Sequence, residues 1–221
     1  MELRILQQSY SQFDALADAE QLIVVYPNAI GGSWKLAGNS DVDFLMNSAD
    51  TLREKSSANS CLFSTGMSMG GFMTYKLACT VAEELTAAAV VAGNLDAYTK
   101  ANTAVAGGLP CMHFHGTANA IVSIYGTFGI PPVETTTVWW VSANDCSAES
   151  TVSNLPDINT SDNSTVVKET WQNGTNGSEV IYFRINNGGH TWPEVIRFAI
   201  LGNTNQDINA SEIIEHFFQI Y

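Results

Sequence analysis

The chain has 221 residues, 45% of them hydrophobic, with nine Lys and Arg against 22 Asp and Glu, a formal net charge of -13 at pH 7. The length suits one domain with a substantial core, and no apolar run reaches the length of a membrane span. So few basic residues argue against a nucleic-acid surface, which must neutralise phosphates, and the acidic balance is read as a solubility feature rather than as the mark of a cationic partner.

Leu3, Leu6, Tyr10, Phe13 and Leu16 recur three or four apart and predict one amphipathic helix over 1–20. Met1 to Tyr10 has no apolar h-region of the kind that marks a secretory signal. Leu22 to Tyr26 (LIVVY), ended by Pro27, reads as a strand buried on both faces of a parallel sheet. After a loop containing Gly31, Gly32 and Trp34, the spacing of Val42, Leu45, Ala49 and Leu52 predicts a second helix. Cys61 to Thr65 is a short strand leading into Gly66-Met67-Ser68-Met69-Gly70-Gly71, and Phe72, Leu77, Val81 and Leu85 continue as a helix. Further strands are expected at Ala87 to Ala92, Pro110 to His115 and Val180 to Ile185, with a helix through Val138, Trp139 and Trp140. The stretch from Ser142 to Ser178 is rich in Ser, Thr, Asn, Asp and Gly and reads as a polar surface excursion. A last helix over 210–221 buries Ile213, Ile214, Phe217 and Phe218, with Asn209 and Glu212 as a capping pair. Strands alternating with helices predict a single α/β domain around a mainly parallel sheet.

The four cysteines show no CxxC spacing, and Cys61 and Cys111 fall in predicted core strands as buried thiols. Asp157, Asn159, Ser161 and Asp162, and again Asn203, Asn205, Asp207 and Asn209, alternate oxygen groups somewhat as a calcium loop does. Neither stretch has the glycine and glutamate of an EF-hand in register, so turn and capping roles are expected, with no metal and no cofactor.

The chemistry gathers at Ser68. In GxSxG the serine sits on a turn so tight that the residues two places either side are expected to lack side chains, and the motif requires the strand before it and the helix after it. The Met69 amide opens that helix and points at any oxyanion forming there. The serine needs a base, and His190, in a glycine-rich loop past a strand end, fits best. His113 and His115 lie on a strand and are read as structural, and His216 as packing in the last helix.

Taken together, GMSMGGFMTYKLAC (66–79), VVYPN (24–28), HGTANAIV (115–122), PDINTSD (156–162), GGHTWP (188–193) and GNTNQDINASE (202–212) resemble the extracellular polyhydroxybutyrate depolymerase and feruloyl-esterase-like branch of the α/β-hydrolases. The resemblance covers nearly the whole chain. It implies ester hydrolysis through an acyl-enzyme, with Ser68 as nucleophile and His190 as base, on short-chain, hydroxyalkanoate, acetyl or feruloyl esters. It also implies that Trp34 and Trp192 flank the substrate pocket, packing being the alternative for each, and that relatives are exported. Where the family pattern reads HGTAD, this chain has Asn119, expected in the position of the triad acid with Asp96 in reserve. The resemblance further implies an N-terminally truncated hydrolase lacking the first strands and the HG loop that supplies a second oxyanion donor. The strand edge so exposed predicts a homodimer, which light scattering at micromolar concentration would check. The alternative reading is a hydrolase fold that binds rather than cleaves.

Overall fold

The computed structural model describes residues 3–103, 107–194 and 199–221. Six strands form one sheet in the order β1-β2-β3-β6-β5-β4. Strands β1 (Phe63–Met67), β2 (Ala87–Val91), β3 (Cys111–Gly116) and β6 (Val180–Asn186) run parallel, whereas β5 (Thr165–Trp171) pairs antiparallel with both β6 and β4 (Thr151–Asn154). This is an α/β-hydrolase-like fold, with helices on both faces of a mostly parallel sheet.

The period of two along each central strand sorts the core into two layers. Ala87, Ala89 and Val91, Met112 and Phe114, and Ile181, Phe183 and Ile185 face one layer, closed by Phe13 and by Ile214 and Phe217 of α7 (Ala210–Ile220). Ala88, Val90, Cys111, Val180 and Tyr182 face the other, closed by α3 (Ser40–Lys55), α4 (Met69–Thr80) and α6 (Val133–Ala143). Both strand histidines, His113 and His115, share the parity of this second face, where Tyr75 of α4 and Trp140 of α6 also lie. Alpha-helix α5 (Ala97–Ala101) is a single short turn after β2. No described helix is long and apolar enough to cross a membrane.

Several expectations are corrected. The N-terminal helix is two, α1 (Leu3–Ser11) and α2 (Phe13–Glu20), because Gln12 adopts a left-handed conformation that turns Phe13 into the core. Leu22–Tyr26 is not a strand. It keeps strand-like alternation, with Val24 and Tyr26 packed on the core and Ile23 and Val25 exposed, yet joins no ladder, and β1 stands at the sheet edge. An open groove of about 430 Å³ runs between Val25 and Phe44, Thr51 and Leu52 of α3. Such an unpaired β1 edge is the surface on which the expectation of a dimer rests. Cys61 lies before β1 and is exposed rather than buried. The polar excursion at 142–178 contributes β4 and β5 to the sheet itself; an antiparallel edge hairpin can leave one face wet, so polar composition does not preclude it.

Candidate active site

Ser68 sits between β1 and α4 with φ 53° and ψ -121°, a conformation costly for any L-residue and held here by its surroundings. Its amide donates to Val91 O (3.0 Å), extending the β1–β2 ladder by one bond, and its carbonyl accepts from Phe72 N (3.0 Å), the first bond of the helix. A Cβ on Gly66 would lie 2.5 Å from the Gly70 backbone and one on Gly71 would lie 2.9 Å from Val90, so these two glycines let the strand and helix close on each other. At Gly70 the space for a Cβ is open. The steric requirement therefore falls on Gly66 and Gly71, not symmetrically about Ser68. Met69 is the first residue of α4, where an amide has no intrahelical acceptor and is free to meet an oxyanion.

The other candidate groups leave neighbouring strands at the same, C-terminal, edge of the sheet. Asn119 follows β3 and His190 follows β6. Strand β6 is three strands from β1, roughly 14 Å at ordinary strand spacing, so the His190 loop must fold back over β3 to approach Ser68. It does fold back. Ala118 N donates to Gly188 O (2.9 Å) and Asn187 N to Thr117 Oγ1 (2.8 Å), and a Cβ on Gly116 would overlap Gly188 O at 2.2 Å. His190 Nδ1 then meets Asn119 Oδ1 at 3.2 Å, both residues being buried.

The orientation of Asn119 decides what His190 can do. Its Oδ1 also accepts the backbone amides of Ile121 (3.1 Å) and Val122 (2.9 Å), so a flipped amide would set N–H against N–H at two places. With the oxygen fixed, Nδ1 of His190 is the donor and Nε2 is left with the lone pair a general base requires. The Ser68 hydroxyl makes no side-chain hydrogen bond among the described residues, and Ser68 is half-buried.

The motifs flanking the site hold this loop rather than a ligand. Gly189 N donates to Asn203 O (2.7 Å) and His190 N to Leu201 O (2.7 Å), while Asn203 Nδ2 reaches Asp162 O (2.7 Å) and Asn187 O (3.2 Å). The oxygens of Asp162 accept from Ser164 N and Gln206 N, and those of Asp207 from Ile158 N, Asn159 N and Asn205 Nδ2. Both carboxylates are thus occupied in a clasp between the 156–164 and 203–207 segments, the turn role read from the sequence.

The remaining candidates fall elsewhere. Trp192 is wholly buried, its indole N–H donating to Ser211 Oγ (2.9 Å) and its ring packed edge-on against Phe13. It is a core anchor for the His190 loop, not a wall of an open pocket. Trp34 is half-buried against the α3–α4 side of the core. Asp96 caps α5, accepting from Thr99 N (2.9 Å), and has Cys79 in the last turn of α4 as an electrostatic neighbour. His216 is exposed on α7 rather than packed. What the sequence reading missed is the part played by the amides of Ile121 and Val122; Asn203, read as a turn residue, also ties the His190 loop to the 162 segment. The Asn119-x-x-Val122 spacing of an Asx turn was the available signal.

Burial lowers His190 to about 4, lowers His115 to about 4 against the opposing Val122 and Gly93 carbonyls, and lowers His113 well below its ordinary value. All three are neutral in the folded protein near neutral pH. Below the unfolded-state value of ~6.5 the unfolded chain takes up protons that the folded chain refuses. From these histidines stability is therefore expected to be flat from pH 6.5 up to the range in which thiols ionise, ~8, and to fall between 6.5 and about 4, measurable as a declining thermal midpoint.

No protein-family model matches the chain. Similarity to curated proteins is found over part of its length. It is 30% identical over 121 residues (53% of this chain, 17% of the relative) to a bifunctional acetylxylan esterase/xylanase of Neocallimastix patriciarum. It is 28% identical over 118 residues (52% and 39%) to feruloyl esterase D of Neurospora crassa, and 36% identical over 78 residues (33% and 27%) to feruloyl esterase C of Emericella nidulans. These relatives are esterases. The matched stretches span less than half the length of each.

Proposed function

We propose that the chain is a serine carboxylic-ester hydrolase working through an acyl-enzyme. The observation that carries the reading is the locked Asn119 carbonyl on His190 Nδ1, which leaves Nε2 unprotonated at the sheet edge that also presents Ser68 in a strained turn. In the first half-reaction the Ser68 oxygen attacks the ester carbonyl while His190 Nε2 takes the hydroxyl proton. The Met69 amide faces the oxyanion, and His190 returns the proton to the departing alcohol. Water repeats the sequence on the acyl-enzyme and frees Ser68. Asn119 orients the imidazole in both halves but gives the imidazolium no charge partner, so modest turnover is expected.

The names of the relatives support acyl or feruloyl groups carried on a polysaccharide as substrates. The 119–132 loop supports a polymeric carrier as well. Beside Asn119 it holds Ile121, Tyr125 and Phe128 exposed, and its Gly129 carbonyl accepts from Ala97 N (2.9 Å), which brings exposed Tyr98 alongside. Turnover is expected on p-nitrophenyl acetate and butyrate and on methyl ferulate, and on acetylated or feruloylated xylan. Tyr125→Ala with Phe128→Ala is expected to slow the polymer about thirtyfold, since each of the two exposed aromatic contacts contributes ~1 kcal/mol, and to spare p-nitrophenyl acetate. Equal loss on both substrates would remove the polymer reading. The neutral Asn119 also favours a second reading, a fold that binds esters without cleaving them. Folded protein that takes no fluorophosphonate label would favour it.

A further inference from the structure

His115 is buried beneath the Asn119 loop, on the helix side of β3 that faces α4, and the reaction above does not use it. Its Nε2 lies 2.9 Å from Val122 O, a carbonyl that can only accept, so Nε2 carries the proton and Nδ1 is left as an acceptor. His113 Nε2 lies 3.1 Å from that Nδ1 and must therefore donate to it, leaving His113 Nδ1 to accept from the Tyr75 hydroxyl at 2.7 Å. The 2.9 Å bond to Val122 O, with the Gly93 carbonyl also beside the ring, thus sets the direction of the bonds in a chain that begins on the nucleophile helix and ends at Val122. That residue is held from both sides. Its carbonyl accepts from His115, and its amide donates to the Asn119 oxygen that meets His190.

We propose that His115, oriented through His113 by Tyr75, is a positioning residue of the hydrolytic site: it clamps the Val122 peptide and so keeps the Asn119 carbonyl on His190. The proposal rests on the hydrolase reading for its effect on rate, but the clamp itself does not. Three buried polar side chains are an expensive way to fill a core that Phe and Leu could fill, and each here is satisfied in one tautomer only. Burial keeps both histidines neutral, which the directed chain requires. The chain also reaches the triad directly. Asn119 Nδ2 stands 3.4 Å from His115 Nε2, donor facing donor, so an aspartate at 119 would place a second acceptor beside the proton that His115 gives to Val122 O.

Imidazole nitrogen NMR of the wild-type protein tests the clamp first, and the proton of both His113 and His115 is expected on Nε2. A proton on Nδ1 of His115 would overturn the proposal. Leucine and glutamine variants test its consequence. His115→Leu is expected to speed hydrogen exchange at the Val122 amide and to lower kcat about 100-fold, the cost of a ~1 Å misplacement, with KM within about twofold. His115→Gln, whose amide N–H can reach Val122 O, should recover at least a third of the lost rate on a logarithmic scale. The loss in His115→Leu should be larger in the Asn119→Asp background, as double-mutant coupling reads. Unchanged exchange at Val122 and unchanged kcat in folded His115→Leu would overturn the proposal. Absence of turnover in the wild-type protein would instead remove the hydrolase reading, and the tautomers and the exchange rate would still decide the clamp.

Discussion

Ser68→Ala is expected to reduce ester turnover by about 10⁴-fold or more, the scale on which serine hydrolases lose rate with their nucleophile. It should also abolish the mass increment left by a fluorophosphonate. The expectation follows from how the residue is held rather than from the motif alone. A positive φ at a residue with a side chain is stored strain, maintained here by the β1–β2 ladder bond on one side of Ser68 and the first α4 bond on the other. The hydroxyl is half-buried and bonds to nothing in the described structure, so removing it sacrifices no packing or hydrogen bond. The thermal midpoint should accordingly stay within about 2 °C, since surface-like changes of this kind stay within ~0.5 kcal/mol. Turnover retained in Ser68→Ala would place the chemistry on another residue.

Asn119→Asp is expected to raise turnover by about 10² to 10⁴, the reverse of the loss recorded when a triad aspartate becomes an amide. The site accepts the change without rearrangement. The amides of Ile121 and Val122 and Nδ1 of His190 already donate to Oδ1, and His115 Nε2 stands 3.4 Å from the second position. Three donors would meet a buried carboxylate, with the His115 proton held by Val122 O near enough to be shared, which offsets its desolvation. The pH profile should move with the rate. Burial holds His190 at about 4 in the wild-type protein, so the base is neutral above that value and kcat/KM should rise with pH through about 4. A carboxylate beside the ring favours the imidazolium, raises the His190 pKa and shifts this acid limb to higher pH. An unchanged rate in folded Asn119→Asp would mean that residue 119 does not serve as the orienting partner. Asp96 is a weak substitute on the geometry, because one of its oxygens caps α5.

Much of this was legible in the sequence where local pattern and tertiary role agree. The runs at 87–92, 110–115 and 180–185 are near-continuous apolar stretches because β2, β3 and β6 are covered on both faces. Strand β1, the elbow and α4 followed from residue spacing that steric closure dictates, although Gly71 rather than Gly70 proved to be the crowded position. Failures came where composition and context part. Leu22–Tyr26 has strand composition but no partner edge, and propensity cannot supply ladder bonds. Thr165–Trp171 lies in a polar region yet gives Val166 to one core layer and Trp171 to the other, enough to join the sheet beside β6. At the site, Ser68 and His190 could be nominated from their loops, whereas the fixed orientation of Asn119 could not. It depends on amides two and three residues downstream and on a histidine pair that sequence reasoning assigned to structure.

Hydrolysis by this route requires the His190 imidazole to serve the Ser68 oxygen. A crystal structure of the protein after reaction with a fluorophosphonate tests it most directly. The expected map shows phosphorus bonded to Ser68 Oγ, a phosphonyl oxygen on the Met69 amide, and His190 Nε2 within hydrogen-bond reach of Oγ while Nδ1 stays on Asn119 Oδ1. An adduct on another residue, or an imidazole turned away from a phosphonylated Ser68, would contradict it.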